Sequence, residues 1–422
     1  MDIPTPIVKE CWSKLEVVIR DGARTFIESI LNEEVNSYIE GMSHILDAKG
    51  NKLIRRNGYL PERKITTGVG PIAVKQPRVR NTAELKFTSN ILPKYLRKVP
   101  SIDNVIPVLY LKGLSTNCFA AALESIVGKD AKGFSAKSVE RLKKKWFEEY
   151  KDWQARPVDR SRYVYVWADG IHFNVRLGSR ESKKMCFLVL MGATAEGKKE
   201  LLAVQDGYKE STASWSEVLR DLVDRGMKPP ELAIGDGALG FWAALKEVWP
   251  TVKEQRCWVH KIANVLDKMP KSVQARAKEK LHDIYLAETE EKAEKHWQKF
   301  LLLYEDKYSK ACKCLKKNKT SLFSFYSFPA ENWQHIRTNN PIESTFATVR
   351  QRSKLTKGCG SRQATLTMVY KLCREAEKKW RRLRGYKHLS NVIQGVKFRD
   401  GYTETEWKDR EDIEQEDMLQ VG

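Results

Sequence analysis

Three acidic residues stand where carboxylates do chemistry. Asp169 follows Trp167-Ala168 and precedes Gly170; Asp236 follows Ile234-Gly235 and precedes Gly237. Each reads as the last residue of a short β-strand. If those strands are parallel neighbours, both carboxylates emerge at one sheet edge, where they repel unless a divalent cation sits between them. The glycine after each aspartate lets backbone or a phosphate approach closely. A lone Asp-Gly pair is usually a turn, and Asp206-Gly207 is read that way. Glu343 is the third candidate. Asn340 reads as a helix cap, Pro341 as the first helical residue and Glu343 as the third. Local sequence alone favours a capping box, with Glu343 bonding back to its own cap.

The elements that must position these groups begin at Tyr163. Alternating aromatics and Val/Ala predict a strand over 163–168, with further strands over 172–177 and 185–191 and an addition over 201–204. An amphipathic helix is predicted over 215–225, a strand over 231–234, a helix over 239–248 and a strand over 252–258. The order β-β-β-α-β-α-β is that of an RNase H-like fold, which strand order alone supports weakly. Residues 259–328 read as helical throughout, an all-α insertion before the helix that follows Pro341 and a further one over 362–383.

The first 150 residues read differently. Residues 6–48 are helical in pattern, and 51–80 form a hairpin or ribbon punctuated by Asn57-Gly58, Gly68, Gly70-Pro71 and Pro77. Residues 102–152 suggest a helix-turn-helix. Ser115 would cap the first helix, Gly128 to Gly133 would make the turn, and Ser135 would cap the second. Val139, Leu142, Trp146 and Phe147 give that second helix an apolar face, while Lys137, Arg141 and Lys144 give it a basic one. A recognition helix needs that division, although an ordinary helical hairpin has it too.

Charge points to a polyanionic partner. The 422 residues hold 75 Lys and Arg against 54 Asp and Glu, a net charge of +21, and nucleic acid is the commonest soluble counterpart. Residues 350–387 carry thirteen basic residues against Glu375 and Glu377, whereas nine acids between Asp400 and Asp417 form a tail expected to be solvated. Eight unevenly spaced cysteines argue against a disulfide scaffold and for a reducing compartment. No signal pattern and no stretch of 18 apolar residues is present, so a soluble intracellular protein is expected.

The run Arg337-Thr338-Asn339-Asn340-Pro341-Ile342-Glu343-Ser344, followed by Arg350, resembles the catalytic-glutamate segment of Mutator-type bacterial insertion-sequence transposases. The Asp169-Gly170 and Asp236-Gly237 strand ends and Cys257-Trp258-Val259-His260 are similar to that family's other motifs. The resemblance runs from about residue 100 to 385. It implies a DDE transposase: an RNase H-like α/β core with an all-α insertion, preceded by mainly helical DNA-binding domains. Asp169, Asp236 and Glu343 would hold two Mg²⁺ ions, or Mn²⁺ in their place, ~3.5–4 Å apart across the scissile phosphate. His260 would sit near that phosphate, and Arg350 would reach one beside it.

Under this reading the domains are 1–50 (helical, for DNA binding or dimerisation), 51–100 (basic ribbon) and 101–153 (helix-turn-helix). The core's first part is 160–260, the insertion 261–330, the core's final helices 331–390 and the acidic tail 391–422. Lys137, Arg141 and Lys144 would contact DNA from the second helix of the helix-turn-helix, and Arg352, Lys354 and Lys357 from the basic stretch. The partners would be double-stranded DNA, both terminal inverted repeats and target, and a second copy in a homodimer, in the bacterial cytoplasm at the nucleoid and not in a membrane. The rivals are a structure-specific nuclease of the same fold and a domesticated, non-catalytic DNA-binding regulator. Cys257 and His260 also invite zinc, but two ligands do not close a tetrahedral site, and Cys312 and Cys314 lie in a Lys-rich helical stretch.

Overall fold

The computed structural model describes residues 6–80, 86–114, 136–159, 162–176, 182–207, 209–237, 239–355 and 361–409. They fall into two units, Met1–Lys144 and Lys145–Gly422.

In the first unit, helix α1 (Pro6–Gly41) lies on two small antiparallel strand pairs. Strands β1 (Arg55–Tyr59) and β4 (Pro77–Arg80) form one, β2 (Arg63–Thr67) and β3 (Gly70–Val74) the other. Leu31 packs with Ile65, Ile72, Val74 and Leu92; one helical turn on, Val35 packs with Ile54 and Val79. Asn57-Gly58 lies within β1, where the register shifts between Arg56 and Tyr59 and Gly58 has a φ of 66°. It is therefore an irregularity in a strand, not the hairpin turn. Arg55, Arg56, Lys64, Lys75, Arg78 and Arg80 are exposed, whereas Arg63 donates to the carbonyls of Leu92, Pro93 and Lys94. Val17, Val18, Ile19 and Phe26, apolar positions of the helical pattern, are exposed.

Helix α2 (Pro100–Leu111) follows, and α3 (Ala136–Gln154) is the second helix of the expected helix-turn-helix. The first helix and turn of that motif, Ser115 to Ser135, lie outside the described residues. On α3, Val139 is buried and Lys137, Arg141 and Lys144 are exposed. The helix's last turns belong to the second unit, because Tyr150 donates to the Val204 carbonyl and Trp153 packs on Tyr370.

The second unit is built on a five-stranded sheet. Strands β5 (Tyr163–Arg176), β6 (Ser182–Thr194) and β7 (Lys199–Gly207) make an antiparallel meander; β8 (Leu232–Gly235) and β9 (Lys253–Arg256) join beside β5, parallel to it, in the order β7-β6-β5-β8-β9. The runs 163–168 and 172–177, read as two strands, are one strand. Its pairing with β6 passes unbroken through Asp169↔Val189 and Gly170↔Leu188, so a glycine that reads as a break is spanned by its neighbour's hydrogen bonds.

Side chains alternate across this sheet. Val166, Ala168, Leu188 and Leu190 meet Trp215, Val218, Phe241 and Leu245 from helices α4 (Thr212–Asp224) and α5 (Leu239–Val248). On the opposite face the Tyr165 hydroxyl donates to Asn332 Oδ1, and the Trp167 indole to the His335 carbonyl. Asp169 shares this second face.

Between β9 and the helix carrying Glu343 the chain is helical: α6 (Trp258–Leu266), α7 (Lys271–Tyr285), α8 (Glu290–Tyr304), α9 (Ser309–Lys316), α10 (Lys319–Phe323) and α11 (Trp333–Ile336). Helices α12 (Asn340–Leu355) and α13 (Arg362–Glu377) come next. Trp258 and Trp333 are buried and donate to the Leu322 and Phe328 carbonyls. The acidic tail is not wholly solvated: Asp400 is buried and accepts from the Glu290 amide. Residues 410–422 lie outside the described residues. Among the described residues no helix is long and apolar enough to cross a membrane.

Candidate active site

The parallel ladder between β5 and β8 ends with the pair Ala168↔Gly235. Asp169 and Asp236 are the next residues on both sides, so register brings the two carboxylates to one place. β5 continues beyond that point, but its edge toward β8 is open there. Asp169 is 7% exposed, and its Oδ1 accepts from the Gly170 amide. Burial, then the charge of Asp236, push its carboxyl up to about 8; the charges of Glu210 and Glu343 add to this. Asp236 is set by its backbone, whose carbonyl accepts from the Trp242 indole at 2.8 Å and the Arg256 guanidinium at 2.7 Å.

Glu343 reaches the same place through a lattice of hydrogen bonds. The Asn339 carbonyl accepts from the Ile342 and Glu343 amides, so Asn339, not Asn340, caps α12 and Glu343 is its fourth residue, not its third. The Asn340 amide, which the expected capping box would give to Glu343, donates instead to the Thr338 hydroxyl at 3.4 Å, and the Asn339 amide donates to Cys257 Sγ at 3.2 Å. Its side-chain amide donates to the Ala168 carbonyl at 3.2 Å. The Cys257 amide donates to the Gly235 carbonyl, and the Trp258 amide to the Arg337 carbonyl. Three segments distant in sequence are thereby fastened at the end of the last parallel pair. Glu343 Oε1 is buried without a hydrogen-bond partner among the described residues and lies 3.4 Å from His260 Nδ1. Buried Cys257, its thiol pushed up to about 12 by burial, packs beneath them. Its Sγ, a His260 ring nitrogen and a Glu343 oxygen lie within 4.8 Å of one another, a group that does not include Cys312.

The basic stretch divides by helix period. Glu343, Arg350 and Lys354 share one side of α12, with Arg350 and Lys354 exposed and the Arg350 guanidinium over the Phe346 ring. Arg352, expected to contact DNA, is only 5% exposed. It falls in line with Ile342, Thr345 and Val349, the buried stripe of the helix. Lys357 lies outside the described residues.

Beside Asp236 and His260 a cavity of about 200 Å³ is lined by Arg256, Lys261, Asn264, Lys268 and Lys317. Lys261 is pinned by the Cys314 and Lys317 carbonyls. Sequence reading missed Asn339 and Arg256 as positioning residues. Asn339 stood inside the quoted motif, but no local pattern told that its amide would be spent on a cysteine.

The chain matches the family described as "Transposase, Mutator family" over residues 8–383. It is 48% identical over 300 residues to the transposase for insertion sequence element IS6120 of Mycolicibacterium smegmatis, covering 71% of this chain and 92% of that protein. It is 47% identical over 281 residues to the transposase for insertion sequence element IST2 of Acidithiobacillus ferrooxidans, covering 66% of this chain and 94% of that one. Among solved structures, the Drosophila P element transposase strand transfer complex aligns at a TM-score of 0.29 and 9% identity, over 69% of this chain and 84% of that one; a score that low carries no weight for the fold.

Proposed function

This chain belongs to the Mutator family of transposases, and from that premise we propose that Asp169, Asp236 and Glu343 form its DNA-cleaving and strand-transferring centre. One observation carries the reading: two aspartates flank the last parallel pair, and Asn339 fastens the glutamate's helix to that same point. The sheet order, with three antiparallel strands and two parallel ones, supports an RNase H-like core.

The donor set fits a hard divalent cation. It is made of carboxylate oxygens; Glu343 Oε1 is buried without a hydrogen-bond partner among the described residues, and burial, then the charge of Asp236, pushes the Asp169 carboxyl up to about 8. Asp169 and Asp236 would hold the ions, two Mg²⁺ or Mn²⁺ in substitution, and Glu343 would complete one site. When bound, such ions supply charge neutralisation at the scissile phosphate and activate the attacking hydroxyl. The chain's own residues do the rest. His260 orients Glu343, and Arg350 and Lys354 hold the phosphates flanking the cut. Exposed Lys137, Arg141 and Lys144 on α3 dock the terminal inverted repeat. Cleavage at the element end frees a 3′-OH, which then attacks target DNA. Two ends are processed together, so the acting species is a homodimer, readable from the mass of the complex with repeat DNA.

The test is a gel assay with Mg²⁺ and labelled terminal-repeat DNA. Joined product is expected. Unjoined nicks on branched DNA would instead indicate a structure-specific nuclease, and binding without cleavage a regulator.

The two basic sets should separate. Arg350→Ala and Lys354→Ala are expected to slow single-turnover nicking about tenfold or more with little loss of repeat affinity, and Arg350→Lys to rescue only partly, lacking the planar fork. Lys137→Ala, Arg141→Ala and Lys144→Ala together should do the opposite, reducing discrimination between repeat and random DNA by ~1–3 kcal/mol per lost base contact. Equal losses on both DNAs would reduce these three residues to phosphate contacts.

A further inference from the structure

Glu210 sits in the turn between β7 and α4, just before Ser211, whose hydroxyl caps α4 by accepting from the Ser214 amide. Nothing in its local sequence marks it, yet two glycines at the aspartate sites leave room for it. A Cβ on Gly170, the residue after Asp169, would lie 2.2 Å from Glu210 Oε1. A Cβ on Gly240, in the first turn of the helix that follows Asp236, would lie 2.3 Å from the Glu210 carbonyl oxygen and 2.8 Å from the Thr212 amide nitrogen. A larger residue at Gly240 would force the backbone of the Glu210 turn to move, and one at Gly170 would displace the Glu210 carboxylate. The carboxylate is further held by His172, whose Nε2 is 3.0 Å from Oε1, and Cys186 Sγ lies 3.8 Å from the same oxygen.

We propose that Glu210 is a fourth carboxylate of the divalent-cation centre, reaching the open edge of β5 across Gly170 from the α4 side, with His172 as the residue that positions it. This rests on the metal reading of Asp169, Asp236 and Glu343. Beyond Ala168 and Gly235 the ladder has ended, and alternation along β5 puts Asp169 on one face and Gly170, with Glu210 against it, on the other. Charge supports the placement. Two divalent ions carry one more positive charge than three carboxylates offset, and a fourth removes the excess before DNA arrives. A mere surface ion pair between His172 and Glu210 would not need the close backbone approach at Gly240. Cys186 is buried among apolar side chains, its thiol pushed up by burial, which leaves it neutral and a packing neighbour.

The test is Mn²⁺ binding to the full-length, metal-free protein, followed by the electron paramagnetic resonance of free Mn²⁺, beside the Mg²⁺ concentration that half-saturates nicking. Glu210→Gln should weaken the binding of one Mn²⁺ by at least roughly tenfold and raise the Mg²⁺ requirement to match. Repeat affinity and melting temperature should hold, and exposed Glu217→Gln should change neither metal measure. Glu210→Asp, which withdraws the charge by one methylene, should fall between; it also gives the readout if Glu210→Gln fails to fold. Wild-type Mn²⁺ binding in both Glu210 variants, with loss in Asp169→Asn, would overturn the proposal and leave the three-carboxylate centre standing. Wild-type binding in Asp169→Asn as well would sink the metal reading itself. Stoichiometric zinc in the purified protein, lost in Cys186→Ser and in Glu210→Gln alike, would assign Glu210 to a His–Cys–Glu zinc site and overturn the proposal by another route.

Discussion

Asp169→Asn, Asp236→Asn and Glu343→Gln are each expected to lower single-turnover nicking and joining by ~10²–10³-fold or more, with repeat binding retained. On the proposed reading each removes a charge aimed at the place where phosphoryl charge develops. Asp169→Asn should also separate catalysis from stability. The Asp169 carboxyl stands at about 8 in the folded chain against 3.8 for a free one, raised first by burial and then by Asp236. Between those values the folded chain keeps a proton that the unfolded chain has released. Stability contributed here therefore falls as pH rises from about 4 to 8. Asparagine carries no such loss. In metal-free buffer at pH 8 the dead variant should melt higher than wild type, by ~2–4 °C for each 1 kcal/mol relieved. At pH 4 the two should coincide, and Mg²⁺ should raise the melting temperature of wild type more than that of the variant. A variant that melts lower at pH 8 without metal would mean that Asp169 is a satisfied structural residue.

The parts of this centre legible in the sequence were those whose meaning is local. Asp169 and Asp236 could be placed because short apolar runs end beside them, and the ladder stops at Ala168↔Gly235 as the paired Asp-Gly positions imply. The helical stretch between β9 and α12 was legible from its periodicity, since Trp297, Phe300 and Tyr304 recur at helical spacing and are buried. What was not legible depends on partners far along the chain. β5 continues through Gly170 because β6 pairs with it on the other side, which no window around Gly170 reveals. Arg352 looked like one more cation in a basic stretch; only the Ile342–Thr345–Val349 stripe fixes it inside. Glu210 is recognised by glycines on two other elements. The helix start was misplaced by one residue because Asn339 and Asn340 are equally good caps locally, and the choice is made by Ala168 and Cys257.

That choice makes Asn339 the second large effect. It is fully buried, and its backbone and side chain together touch all three segments of the centre. The carbonyl starts the Glu343 helix, the amide is held by Cys257, and the side-chain amide holds the Ala168 carbonyl, one residue before Asp169. In Asn339→Ala the three backbone bonds remain possible, but the link to Ala168 is lost. A carbonyl left short of a buried partner costs ~1–3 kcal/mol, and Glu343 is no longer tied to the strand that carries Asp169. Misplacement by about 1 Å is enough to cost ~10²-fold in rate. Asn339→Ala is therefore expected to lose ~10²-fold in nicking at saturating Mg²⁺ together with several degrees of melting temperature, with repeat affinity unchanged. Asn339→Asp sharpens the test. It is nearly isosteric but cannot donate to Ala168 when ionised, and it adds a negative charge beside Asp169. It should be at least as inactive as the alanine variant, and unlike it should recover part of its melting temperature as pH is lowered and the new carboxyl takes up a proton that can bond the Ala168 carbonyl. If Asn339→Ala melted lower yet nicked at the wild-type rate, the bond to Ala168 would be structural alone. Glu343 would then be positioned by α12 and His260 without it.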